Sequence, residues 1–239
     1  MRDHSTTMGG PARAFPSTRW SAVFDARDVE SPSRRQSLEE LARIYWRPVY
    51  THFRRKWGKS VEESKDLTQG FFVQLTRREF LDRIDPALGR FRSYVRSALD
   101  NFARRDHRDQ SSVPTFRLAF DDASEPSLDA PPDQIFLREW ARSVMIQALD
   151  DLERECRAAG REVDYRLLLR HDIHPPPDGK SSYEASAELF GIKVSDVNNA
   201  LYRARRRFRE LLMARIRETT SSEAEAEREF VELFRDDAS

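Results

Sequence analysis

The chain has 239 residues, of which 34% are charged and 38% are apolar, and its mean hydropathy is −0.75. These values predict a water-soluble protein with one large or two small domains, and no apolar run is long enough to cross a bilayer. The single cysteine, Cys156, excludes an internal disulfide and argues against a zinc site, and no apolar secretory signal occurs near residue 1. We therefore expect a cytoplasmic protein that needs no cofactor.

The net charge is zero, but basic and acidic residues occupy different stretches of the chain. Residues 43–59 hold six Lys or Arg and no acidic residue, and residues 201–217 hold seven Arg and one Glu. Residues 118–139 hold six acidic residues against one Arg, and residues 218–239 hold eight against two. Binding responds to the local field more than to the summed charge, so the basic stretches indicate nucleic acid as a partner.

Residues 1–16 are predicted to be a disordered N-terminal tail, and residues 17–110 a helical domain. Apolar residues follow helical spacing over 38–45, and Pro48 is predicted to bend or restart that helix. A further helix is predicted over 61–81. The next helix, over 90–108, has an amphipathic pattern whose apolar stripe is Phe91, Tyr94, Val95, Ala98, Leu99 and Phe102.

Residues 111–134 combine four prolines with Ser and Asp, which is typical of a flexible acidic linker. Helical spacing resumes over 135–159, and residues 135–218 are predicted to form a second helical domain. Residues 219–239 read as an acidic C-terminal tail with one short helix over 226–234. We expect this tail to be solvated, and folding of residues 223–232 onto the Arg-rich stretch 203–209 is the alternative. The predicted fold class is all-α, with two helical domains joined by the acidic linker.

Two helices that meet at a tight turn are predicted within residues 182–211. Gly191 lies at the turn, where the backbone needs a residue that tolerates positive φ. After the turn, Val197, Leu201 and Ala204 begin one apolar face. The polar residues of the second helix are suited to contact base edges in the DNA major groove: Lys193, Ser195, Asp196, Asn198, Asn199, Tyr202, Arg203 and Arg206. A helical hairpin that only packs against a partner is the structural alternative.

The predicted helix over 90–108 has a second set of candidate DNA-binding residues away from its apolar stripe. Arginine contacts to phosphates supply most non-specific DNA affinity. The candidates are Arg92, Arg96, Asn101, Arg104 and Arg105. A solvated basic face is the alternative, and the spacing of the aromatic residues of this helix favours the core over base stacking.

The motifs of the two halves together resemble the extracytoplasmic-function (ECF) sigma factors of bacteria. In the first half, Asp66-Leu67-Thr68-Gln69 with Phe71-Phe72, and Phe91-Arg92-Ser93-Tyr94 before Asn101, resemble conserved region two of that family. In the second half, Tyr183, Ala187, Gly191-Ile192, Val197 and Arg203-Ala204-Arg205 resemble the helix-turn-helix of region four. A planctomycete-like branch of this sigma-70 family is similar in three segments, which are Thr18-Arg19-Trp20-Ser21, Tyr45-Trp46-Arg47-Pro48 and residues 230–234. The resemblance covers most of residues 18–217.

The resemblance implies a transcription-initiation factor that works by binding and is not an enzyme. It implies that Asp66, Gln69 and Gln74 contact the clamp helices of the largest subunit of core RNA polymerase, and that the flap of the second-largest subunit is also contacted. The 90–108 helix would capture the melted −10 promoter element, and the second helix of the helix-turn-helix would read the −35 element. An anti-sigma factor is a further possible partner in such a family, and membrane contact is not expected.

The sequence leaves two other functions to be considered. Gly70 stands where the family usually has Glu, so a helix-turn-helix regulator that binds DNA without engaging polymerase is the alternative function. A metal-dependent nuclease would have to use Asp121-Asp122 or Asp150-Asp151, but adjacent residues on a helix point apart. His171 and His174, in a polar Pro-rich stretch predicted to be a loop, fill at most half of a tetrahedral metal site. We therefore expect neither catalytic residues nor a metal.

Overall fold

The computed structural model describes residues 21–85, 90–106, 131–176, 182–220 and 222–235. Within these ranges the chain forms helices and no strand, which confirms the predicted all-α class. The helices are α1 (Ser21–Arg27), α2 (Arg34–Lys56), α3 (Val61–Leu75), α4 (Arg78–Leu81), α5 (Phe91–Asp106), α6 (Pro132–Ala158), α7 (Glu162–Leu168), α8 (Tyr183–Phe190), α9 (Val194–Arg217) and α10 (Glu223–Arg235), with a π-helical turn (Leu169–Ile173) after α7. The predicted tail 1–16 and most of the predicted linker 111–134 lie outside the described residues.

Helix α2 runs through Pro48 without interruption, so the predicted restart of the helix does not occur. A proline inside a helix removes one backbone hydrogen bond and costs about 3 kcal/mol. Burial offsets this cost, because α2 is surrounded by other helices over most of its length. Leu41, Val49 and Phe53 are completely buried, and Pro48 itself is buried.

Helix α3 begins with a capping box and ends earlier than predicted. The Ser60 hydroxyl accepts a hydrogen bond from the Glu63 N–H, and the Glu63 carboxylate accepts one from the Ser60 N–H. The predicted single helix over 61–81 is wrong, because α3 stops at Leu75 and α4 follows it. The Arg34 guanidinium of α2 donates to the Thr76 carbonyl at 2.7 Å, which satisfies one of the carbonyls that a helix end leaves free.

One apolar core joins helices from both predicted domains. Phe91, Val95 and Leu99 of α5 are buried in it, as their spacing predicted. Trp140 and Val144 of α6 belong to the same core, as do residues at the C-terminal end of α9. Two smaller clusters lie under α7, α8 and the first half of α9. The division into two separate domains is not confirmed by this packing and stays a prediction.

Helix α10 packs against the body of the protein, so the expectation of a solvated C-terminal tail is wrong. The side chains of Ala226 and Glu229 are 0% and 1% exposed. The alternative of folding onto residues 203–209 holds at one position, where the guanidinium carbon of Arg209 lies 4.6 Å from the centre of the Phe230 ring. The other ion pairs of α10 go mainly to Arg90, which precedes α5, and to Arg92 of α5, and one goes to Arg217 of α9.

Among the described helices, none is both long and apolar enough to cross a membrane.

Candidate nucleic-acid interface

Helices α8 and α9 form the predicted helix–turn–helix. The Ser182 hydroxyl accepts a hydrogen bond from the Ala185 N–H at 3.1 Å and caps the start of α8. Gly191 follows α8 with φ of +65°, and the Ile192 N–H donates to the Ala187 carbonyl at 3.0 Å. This left-handed residue closes α8 and redirects the chain within three residues into α9.

The first half of α9 is fixed by its apolar face. Val197 and Leu201 are completely buried, as predicted, and Ala200 is nearly so. They pack against Leu167 of α7 and Ala187 of α8 in one cluster. Because this face is covered, the opposite face of α9 is turned to solvent.

All eight candidate residues of the helix-turn-helix are exposed. Tyr202 is the aromatic residue among them, and it is 66% exposed. The exposed set is Lys193, Ser195, Asp196, Asn198, Asn199, Tyr202, Arg203 and Arg206. Exposure leaves these side chains accessible to DNA, and their contacts with bases stay a prediction.

A shallow groove of about 390 Å³ runs along the exposed face of α9. Asn198, Tyr202, Arg205, Arg206 and Arg209 line it. The last four of these residues follow Asn198 by four, seven, eight and eleven positions, so they form one stripe on the helix. Cationic side chains beside an exposed aromatic ring offer contacts for phosphates and for a stacked base.

Three arginines of α9 also anchor this helix to its neighbours. Arg203 donates two hydrogen bonds to Asp164 of α7, at 2.8 and 2.9 Å. Arg205 makes the same kind of pair with Asp172 of the π-helical turn, at 2.7 and 2.8 Å. Hydrogen bonding to these carboxylates raises the pKa of both guanidinium groups. The third arginine, Arg207, pairs with a carboxylate of α6 at 2.6 Å.

Arg206 is the most exposed arginine of the candidate set on α9. Its side chain is 68% exposed, against 47% for Arg203. Its contact within the chain is a hydrogen bond to Glu210 on the same helix at 3.2 Å. Pairs of this type on a helix surface contribute only about 0.3–0.5 kcal/mol, so the guanidinium can be redirected at small cost.

The π-helical turn supports the helix-turn-helix from behind. The predicted loop position of His171 is wrong, because this residue belongs to the turn, and its Nε2 lies 2.9 Å from the Ser186 hydroxyl of α8. Its ring packs edge-on against Tyr183 at 5.4 Å, and burial lowers the pKa of the imidazole. Within the described ranges, no three His, Cys, Asp or Glu side chains are grouped as a metal site requires.

The candidate residues of α5 fall into two environments. Asn101, Arg104 and Arg105 are exposed near the C-terminal end of α5, and Arg96 faces Asp133 of α6 at 3.6 Å. Arg92 is only 11% exposed, and its guanidinium carbon lies 4.9 Å from the centre of the Trp140 ring. Helix α10 covers Arg92 from the solvent side.

The candidate polymerase-binding residues lie along α3. Asp66 is exposed, and Gln69 and Gln74 are half-buried. Asp66 and Gln69 are three residues apart and share one side of the helix. Gly70 is buried, so it forms no part of that exposed side.

Three arginines near these surfaces were not among the candidates. Arg205 and Arg209 line the α9 groove. They follow Asn198 by seven and eleven residues, and this helical spacing would have placed them on the same face as Asn198. Arg90 precedes α5 and pairs with α10. Nothing in the local sequence indicates that last contact, because its partner lies 142 positions away.

No family model, no curated protein and no solved structure matches the chain. Its function is therefore inferred from the geometry of these surfaces together with the sequence motifs.

Proposed function

We propose that the chain is an ECF-type sigma factor that binds core RNA polymerase and directs it to promoter DNA. The observation that carries the proposal is the exposed polar and cationic stripe on α9, which begins directly after the Gly191 turn. A helix held on a scaffold by its apolar face, with Asn, Tyr and Arg on the other, can enter a major groove. The −35 promoter element would be read there.

Further support comes from the exposed residues of α5 and α3. Asn101, Arg104 and Arg105 offer hydrogen-bond donors to phosphates and unpaired bases, as capture of a melted −10 element requires. Asp66 presents an exposed carboxylate on a helix that a capping box fixes in place. The clamp helices of the largest polymerase subunit would bind there, and the flap of the second-largest subunit would be the contact of the α8–α9 unit.

The direct test combines binding to bacterial core RNA polymerase with run-off transcription on genomic fragments. The full chain should form a stable complex and produce start sites that core polymerase alone does not. Asp66→Arg should abolish complex formation, and Glu79→Arg, a charge reversal at another exposed carboxylate in the same part of the chain, should leave it intact. Equal loss with both variants would contradict the assigned polymerase surface.

The α9 surface is tested in the same assay. Arg206→Ala should reduce transcription from promoters that depend on the upstream element while polymerase binding stays at the wild-type level. Arg154→Ala is the matched control, because Arg154 is also an exposed arginine paired with a carboxylate of its own helix. DNA binding without any binding to polymerase would instead favour the helix-turn-helix regulator.

A further inference from the structure

Helix α10 places a row of carboxylates on Arg92 of α5 and on Arg90, which directly precedes α5. Glu232 lies 2.6 Å from Arg90 Nη1 and 2.8 Å from Arg92 Nη2. Glu229 lies 3.4 Å from Arg90 Nε and 3.2 Å from Arg92 Nε. Glu225 is 3.7 Å from Arg90 Nε. The three carboxylates occur at positions i, i+4 and i+7, so they form one stripe along the helix.

This contact closes the arginine surface to other ligands. Glu229 is 1% exposed and Arg92 is 11% exposed, with its guanidinium between α10 and the Trp140 ring. A phosphate group could not reach Arg92 while α10 is in place. Carboxylates and phosphates bind guanidinium groups in the same way, through charge-assisted and often bidentate hydrogen bonds. Helix α10 therefore occupies a site whose chemistry also suits nucleic acid.

The same helix contacts the second candidate surface. The Phe230 ring lies against the guanidinium of Arg209, 4.6 Å from ring centre to guanidinium carbon. Arg209 lines the groove on α9. At its N-terminal end α10 is joined to α9 through Glu223, which accepts a hydrogen bond from Arg217 Nε at 2.8 Å. One short helix thus engages arginines of both α5 and α9.

We propose that α10 is an intramolecular clasp that covers the cationic side chains of Arg90 and Arg92 and touches Arg209 at the edge of the α9 groove, and that nucleic acid displaces it. The inference rests on the proposed function in one respect, since it takes DNA as the competing ligand. Binding of DNA to this surface then requires release of α10, and weakening the clasp increases DNA affinity. A helix that serves only to stabilise the fold would have the opposite effect or none.

The test compares two charge reversals on α10 in the full chain. Glu232→Arg puts a cation beside Arg90 and Arg92, and Glu227→Arg makes the same change in net charge at an exposed position outside the clasp. Affinity for a short single-stranded oligonucleotide is measured by fluorescence anisotropy between about 50 and 200 mM salt. Glu232→Arg should bind more tightly than Glu227→Arg. Its slope of log K against log salt should be steeper by about 1.4, since each of two freed phosphate contacts adds about 0.7 on single strands.

Addition of Arg92→Gln to the Glu232→Arg chain should remove about half of this increase in slope. Equal affinities and slopes for Glu232→Arg and Glu227→Arg, with duplex binding through Arg206 intact, would overturn the clasp and leave the proposed function standing. Failure of wild type and all variants to bind either form of DNA would overturn both. Thermal melting of each variant establishes that the chain is folded during the measurement.

Hydrogen exchange on the wild-type chain tests the clasp without any substitution. Amide protons of Glu223–Arg235 should exchange faster when saturating oligonucleotide is present, because the helix leaves its site. The amides of α2 should be unaffected and serve as the internal reference. Unchanged or slower exchange in α10 at saturating DNA would overturn the proposal.

Discussion

Gly191 sets the direction of α9, and Gly160, which has the same backbone conformation after α6, is the control position for its substitution. Gly191 follows α8 with φ of +65° and Gly160 follows α6 with φ of +64°, and a Cβ added at either position meets no atom within 4 Å. Substitution by Ala is therefore opposed by backbone strain alone, about 1–2 kcal/mol. We expect Gly191→Ala and Gly160→Ala to lower the unfolding free energy equally in urea titrations. Only Gly191→Ala should weaken binding to duplex DNA, and equal DNA affinities would contradict the orienting role of Gly191.

Arg203 and Arg206 are three positions apart on α9 and should respond differently to truncation. Arg203→Ala leaves Asp164, whose side chain is 7% exposed, without its bidentate partner, and we expect a loss of about 1–3 kcal/mol in unfolding free energy. Arg206→Ala removes only a surface pair and should change stability by less than about 0.5 kcal/mol. Urea titration and DNA titration of both variants separate anchoring from binding. A destabilisation by Arg206→Ala as large as that by Arg203→Ala would refute this separation.

At the scale of elements, the contact between α2 and α6 determines how the two halves of the chain are joined. Arg47 of α2 pairs with Glu139 of α6, and each side chain is 11% exposed. Loss of one partner from such a buried pair costs about 3–5 kcal/mol, so Glu139→Ala should lower the unfolding free energy by that amount. Glu39→Ala, which breaks an exposed pair with Arg35, should cost less than about 1 kcal/mol.

The double variant Arg47→Met/Glu139→Leu distinguishes a joint core from a surface contact. Replacement of both charges by apolar groups removes the buried unpaired charge, so it should recover most of the stability that Glu139→Ala loses. Chemical denaturation of the three variants measures this. If Glu139→Ala behaved like Glu39→Ala, the packing of α6 on α2 would not hold in solution.

Helix α9 connects the candidate DNA surface to the main core. Its first half packs against α7 and α8, and its last turns contribute Leu212 and Ile216, both completely buried, to the core formed with α2 and α6. A continuous helix of 24 residues spans about 36 Å. The candidate DNA surface and the main core therefore share one continuous helix, and α10 contacts this helix as well as Arg92 of α5.

At the scale of the whole molecule, local patterns predicted the elements and failed on contacts between distant elements. The stripe of Phe91, Val95 and Leu99 and the turn at Gly191 were predictable, because each depends on neighbours within a few residues. The burial of Glu229 was not predictable, because an acidic residue within an acidic segment is expected to be exposed to solvent. Its partner Arg92 is distant in sequence, and only the folded chain brings the two together.

Two buried groups give the stability of the whole molecule opposite dependences on pH. His52 has no exposed side-chain surface, and burial lowers its pKa from 6.5 although Asp100 lies 3.0 Å from Nε2 and opposes the shift. Below pH 6.5 the unfolded chain therefore binds more protons at this site than the folded chain, and stability falls as pH falls. Relative to wild type, His52→Gln should gain stability as pH falls from 7 to 5. A constant difference between the two chains across this window would contradict the role of His52.

Glu229 acts in the other direction. Burial raises its pKa from 4.5 to about 7, against the attraction of Arg92 and Arg90 and with the repulsion of Glu225 and Glu232. Between those two pKa values the folded chain holds a proton on Glu229 that the unfolded chain has lost. The stabilisation from this proton is therefore full below pH 4.5 and is lost as pH rises through about 7.

Glu229→Gln removes the titration, so its stability relative to wild type should increase with rising pH over this window, which is the reverse of the His52→Gln profile. Urea titrations of the three chains at matched ionic strength measure both differences. Parallel profiles for wild type and Glu229→Gln would show that the Glu229 carboxylate stays ionised beside Arg90 and Arg92, and that the attraction of these two arginines outweighs its burial.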